Sequence, residues 1–153
     1  MSMPGKSKVV AFQFATIATN ATSMTYVDRI GFDFVTIDVI HNVASATNAS
    51  AKWTALKLQH SNDATNVSGI TGASGTTNAT AAAGEFVLPV HNDTAVPAVI
   101  RFHVDARDYG RYLHIEKQAA ASYHSTANVA NLFRAKEMPN TTTEAGVTAH
   151  VFV

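Results

Sequence analysis

The stretch Phe32-Asp33-Phe34-Val35-Thr36-Ile37-Asp38-Val39-Ile40 decides how this chain folds. Its residues are mostly β-branched or aromatic, which favours an extended backbone, and both of its alternation phases are largely apolar. A strand that is apolar on both faces belongs in the middle of a sheet, so this segment predicts a central strand. Outward from it the same period of two recurs. Trp53 to His60 sets Leu56 and Leu58 against Lys57 and Gln59. Glu85 to Val90 groups Phe86, Leu88 and Val90. Val99 to Asp105 sets Ile100, Phe102 and Val104 inward against Arg101, His103 and Asp105, and Arg111 to Lys117 puts Leu113 and Ile115 inward. Asn128 to Arg134 and Val147 to Val153 follow, with shorter candidates at Val9 to Phe14 and Met24 to Val27. No helical period lasts beyond two turns. The pattern predicts an all-β chain, an antiparallel β-sandwich of jelly-roll type with about eight strands.

Two stretches interrupt the alternation. Ser61 to Gly84 is built almost wholly of Ser, Thr, Asn, Ala and Gly, and reads as one long loop anchored only by Val67 and Ile70. Met138-Pro139-Asn140-Thr141-Thr142-Thr143 reads as a linker. The expected organisation is a sandwich over 1–138 and a linker with a terminal strand over 139–153. That strand can return to its own sheet or be exchanged with a neighbour's, and return orders only one chain.

A chain of 153 residues suffices for one domain with a core of its own. It has no cysteine, which removes disulfides and thiolate metal sites. Eleven basic and eleven acidic residues cancel without clustering, which argues against nucleic acid and membrane surfaces as partners. Charged residues make up 14%, against roughly 25% in typical soluble domains, a surface suited to lying against other protein. Neither a signal peptide nor a transmembrane helix is expected. Asn20, Asn48, Asn66, Asn78, Asn92 and Asn140 start Asn-x-Ser/Thr triplets, which an Ala/Thr/Asn-rich composition generates by chance.

Catalytic patterns are weak. Gly69-Ile70-Thr71-Gly72-Ala73-Ser74-Gly75 superficially suggests a phosphate loop but lacks the following Lys and helix, and Ser74 lacks the spacing of a nucleophile elbow. None of His41, His60, His91, His103, His114, His124 and His150 falls in a zinc-enzyme motif. A hairpin of Val99 to Asp105 with Arg111 to Lys117 would pair Arg101 with Glu116, His103 with His114 and Asp105 with Tyr112. That is a polar sheet face, or a metal- or pH-sensitive patch at the two histidines. Asp33 and Asp38 point to opposite faces, while Asp63 and Asp108 suit local turn hydrogen bonds. Trp53, Tyr109, Tyr112 and Tyr123 suit core or turn packing, with a sugar platform as the alternative. No enzymatic activity, cofactor or metal is expected.

Three segments carry a family resemblance: Tyr26 to Phe34 (YVDRIGFDF), Ala51 to Asp63 (AKWTALKLQHSND) and Val104 to Leu113 (VDARDYGRYL). Together they resemble small β-sandwich virion structural proteins of tailed phages, over roughly Thr16 to Lys136. The resemblance implies a capsid decoration or cement protein on the outer capsid surface, with the major capsid protein and its own copies as partners, a trimer favoured. A carbohydrate-binding host-adhesion module and a tail or connector component are the alternatives. Contact residues are expected in the termini and the long loop: Val9, Phe12, Phe14, Ile70, Val147, Val151 and Phe152.

Overall fold

The structure is a computed structural model, which describes residues 7–18, 20–43, 53–76, 81–89, 96–119, 124–133 and 149–152. The strands, in chain order, are β1 (Ser7–Ile17), β2 (Thr22–Asp28), β3 (Phe34–Val43), β4 (Trp53–Ser61) and β5 (Ser68–Thr76). After them come β6 (Glu85–Val87), β7 (Ala98–Asp105), β8 (Tyr112–Ala119), β9 (His124–Phe133) and β10 (Ala149–Phe152). One five-stranded sheet runs β1-β9-β3-β7-β10 and the other β2-β8-β4-β5-β6. The segment that is apolar on both faces accordingly forms β3, in the middle of the first sheet. Pairing is antiparallel except for β10 on β7 and β6 on β5, which are parallel.

Without β6 and β10, the orders β1-β9-β3-β7 and β2-β8-β4-β5 are those of an eight-stranded jelly roll. The chain changes sheet at six of its nine connections, and the two layers pack one face of their strands against each other. Val35, Ile37, Val39, Ile100, Phe102 and Val104 of the first sheet meet Leu56, Leu58, Leu113 and Ile115 of the second, all at most 1% exposed. Removing each such side chain from water stabilises the fold by about 1.5–3 kcal/mol.

That topology corrects the expected hairpin. β7 and β8 lie in different sheets, joined by a short 3-10 helix, Ala106–Asp108. Asp105 accepts from the Arg107 amide there, so the local acceptor of this turn is Asp105. Arg101 pairs with Asp38 on β3, Glu116 with Lys57 on β4, and His103 stands opposite Thr36 while His114 stands opposite Gln59 and Tyr26. Alternation told which residues share a face; it could not tell which sheet a strand joins. Asp63 does hold its turn, accepting from the amides of Thr65 (3.0 Å) and Asn66 (2.8 Å), which keeps its carboxyl well below the usual range.

The expected loop over Ser61 to Gly84 contains β5. Its buried residues are Ile70, Ala73 and Thr76, and its register against β4 jumps from Lys57↔Ser74 to Gln59↔Gly69. A bulged strand abandons the period of two, which hid it among small polar residues. Gly75 fits here because a Cβ would lie 2.6 Å from Leu88 Cδ2. Gly110 is required by a closer approach, since its Cβ would lie 2.4 Å from the Ser61 carbonyl oxygen. The same corner is clamped by Arg29, whose guanidinium donates to the carbonyls of Gly110 (2.9 Å), Phe32 (3.2 Å) and Tyr109.

Candidate functional site

β1 is the edge of its sheet and β2 the edge of the other, so the two strands flank one open side of the sandwich. β1 carries a single charge, Lys8, in eleven residues, and an uncharged edge strand is a template for further protein contact. Its pairing with β9 shifts register between Ala11 and Gln13. The bulge turns two consecutive residues inward: Phe12 packs against the core, and Gln13 hydrogen-bonds to side chains between the sheets. Beyond it Phe14 emerges on the outer face, 94% exposed, on the same side as Val9 at 68%. In a regular strand Phe12 and Phe14 would share a face, and Val9 and Phe14 would not.

Cross-strand register sets Phe14, Ala127, Ile40 and Val99 in one row on this outer face. Phe14, Ile40, Ala127 and Pro97 line a shallow apolar depression. Farther along the same face Arg101 forms two short hydrogen bonds, 2.5 and 2.6 Å, with the Asp38 carboxylate.

Inside the open side lies a polar seam. Lys117 of β8 is fully buried and donates to Thr126 Oγ1 and Asn128 Oδ1 of β9, both at 2.8 Å. Asn128 Nδ2 donates to Gln13 Oε1 (2.9 Å) and Thr25 Oγ1 (3.0 Å), and Gln13 Nε2 donates to Ser23 Oγ (2.7 Å). Thr126 Oγ1 in turn donates to the Ile40 carbonyl (2.9 Å). One connected network thus joins β8 to β9, to the bulge of β1 and to β2. The Lys117 ammonium lies 5.6 Å from the Trp53 ring centroid, and burial pushes its pKa down to about 7.

A second buried pair sits on the other face of β8, where Ser61 Oγ and His114 Nε2 share a 2.7 Å hydrogen bond. Burial lowers the His114 pKa, partly opposed by Asp63. Serine and histidine at this distance are how a nucleophile and its base begin. Here the two residues are 4% and 1% exposed, which keeps the hydroxyl from a substrate and makes the pair a satisfied internal contact. Tyr26, half exposed, stacks edge-on to Tyr112 (5.3 Å) and lies 5.3 Å from the His114 ring.

Of the residues expected at contacts, Val9 and Phe14 are exposed, Phe12 is half-buried against the core, and Ile70 is in the core at 4%. Ile70 is thereby removed from any surface role as the chain is folded. Val151 and Phe152 lie on β10, which pairs with the chain's own β7. Val147 and the segment Met138 to Thr143 fall outside the described residues. His103 and His114 are in different sheets and cannot form a joint metal patch. Among the described residues no three His, Asp or Glu side chains come together. Trp53 is 1% exposed and packs beside His41 (ring centroids 5.3 Å), so it is no sugar platform.

The seam was hidden in the sequence. Lys117 shares alternation phase with Leu113 and Ile115, and that phase was the available signal; lysine is so rarely buried that the phase alone does not make it a core residue. No model of a known protein family matches the chain, and no curated protein is significantly similar to it.

Proposed function

We propose that this chain is a non-enzymatic virion structural protein of the capsid decoration type, which binds the capsid surface and its own copies through the β1 edge and the adjoining outer face. The observation that carries this reading is the long, nearly uncharged edge strand with Val9 and Phe14 exposed beside an apolar depression, on a jelly-roll frame. Jelly rolls are common in capsid and lectin domains, and an edge of this kind gains most by being covered. The sequence resemblance to tailed-phage virion proteins and the low charge support the same reading. The major capsid protein is the proposed partner, with self-association into trimers.

The test is sedimentation of purified protein with phage heads that lack it. Wild type is expected to bind at many copies per particle and Phe14→Ser with Val9→Asp to stay in the supernatant while remaining folded. Equal binding by the double variant, or none by wild type, would reject the reading. A glycan-binding role is favoured by one observation, the half-exposed Tyr26 edge-on to Tyr112. Glycan-array binding that disappears in Tyr26→Ala would establish it.

A further inference from the structure

We propose that Lys117 is a proton-operated lock on the open side of the sandwich: the neutral amine holds the seam between β8, β9, β1 and β2 closed, and protonation loosens it. The geometry supplies both halves. The amine is fully enclosed and its two acceptors, Thr126 Oγ1 and Asn128 Oδ1, are neutral. Asn128 passes the contact on to Gln13 and Thr25, one on each edge strand. A neutral amine satisfies this arrangement with its own N–H groups. An ammonium in the same place brings a charge into a low-dielectric interior where, among the described residues, neutral oxygens and the Trp53 ring surround it.

Among the described residues no counter-charge faces the amine. β9 contributes Thr126 and Asn128, β1 Gln13, β2 Ser23 and Thr25, and β4 Trp53. From β3 the titratable group on this side is His41, set against Trp53 and opposite Thr126 in register. Glu116 faces the other way with Lys57, and Asp38 lies on the outer face with Arg101. Burial alone accounts for the downward shift of the amine to about 7, which puts the proposed lock within reach of a titration around neutrality.

The lock acts on the strand that carries Val9 and Phe14; its bearing on assembly rests on the function proposed above, whereas the lock itself does not. Trp53 is the single tryptophan, so its emission reports directly on the cation over its ring. Emission is titrated from about pH 5.5 to 9.5 in wild type, Lys117→Met and His41→Gln. A transition near neutrality is expected in wild type and His41→Gln and is expected to vanish in Lys117→Met. Its persistence in Lys117→Met, or its absence from wild type, overturns the assignment. The lysine side-chain carbon resonances of wild-type protein give a second readout that needs no substitution, with one lysine expected to titrate near neutrality. Backbone amide exchange, corrected for its intrinsic pH dependence, reads the lock. Protection of β1 and β2 should rise about tenfold on deprotonation while β3 and β7 change little. A titrating lysine with unchanged edge protection overturns the lock. A working lock with particle binding independent of pH supports the lock and removes its link to assembly.

Discussion

His114 and Lys117 stand three residues apart on β8, and the strand presents them to opposite faces. Both are bases withdrawn from water, and burial lowers the pKa of both. They differ in their partners. His114 has Ser61, a hydroxyl that can donate to the neutral ring, and the field of Asp63 opposes part of its shift. Among the described residues Lys117 has only neutral oxygens and an aromatic face, and its shift is the larger, down to about 7. The same physical cost therefore falls in two pH windows. Each folded-state pKa is depressed, so the unfolded chain binds more protons between the folded and unfolded values, and stability rises with pH across each window. For His114 the window lies below its ordinary 6.5; for Lys117 it runs from about 7 to 10.5.

The contrast breaks most sharply at Asn128. Asn128→Ala strips the amine of one acceptor and detaches Gln13 and Thr25, and should cost about 3 kcal/mol in denaturant unfolding. Combining it with Lys117→Met should cost less than the sum of the two single changes, because the second substitution removes the group that the first strands. The next largest effect is pH itself. Between pH 7 and 9 wild type should gain about 2 kcal/mol, read as a rising thermal midpoint, and Lys117→Met should show a flat profile there. An equal rise in Lys117→Met would assign the window to another group.

On the other face, Ser61→Ala leaves the buried His114 nitrogen without its partner and should cost about 1–2 kcal/mol at neutral pH. His114→Gln should flatten the acid limb below pH 6.5 without touching the alkaline one, which separates the two groups. The smallest effect on stability belongs to Phe14→Ser. At 94% exposure it should change the unfolding midpoint by less than about 0.5 kcal/mol, yet particle binding should be lost.

Much of this was readable from residue order. β3, β4, β7 and β8 were visible because each alternates strongly, and β3 was placed centrally because both its phases are apolar. β5 was not, because a bulge and three glycines, Gly69, Gly72 and Gly75, erase the alternation. Exposure along β1 followed residue order only in part: Val9 and Phe14 are exposed, whereas the bulge turns Phe12 inward; Ile70, named with them, is buried on β5. The Ser61 and His114 contact joins strands whose pairing no local pattern encodes.

The sequence by itself determined the fold class, because period-two alternation is a property of single strands and survives any arrangement of them. It also determined the sparse charge and the absence of cysteine. Only the tertiary structure decided which sheet each strand joins, where β1 bulges and which residues the seam connects. Those features depend on contacts between segments far apart in the chain, as between Gln13 and Asn128, and such contacts leave no periodic trace in either segment alone. So Val9 to Phe14 could be read from its residues as a strand and a contact segment, while its place at the sheet edge and the lysine beneath it became visible only when the two sheets were brought face to face.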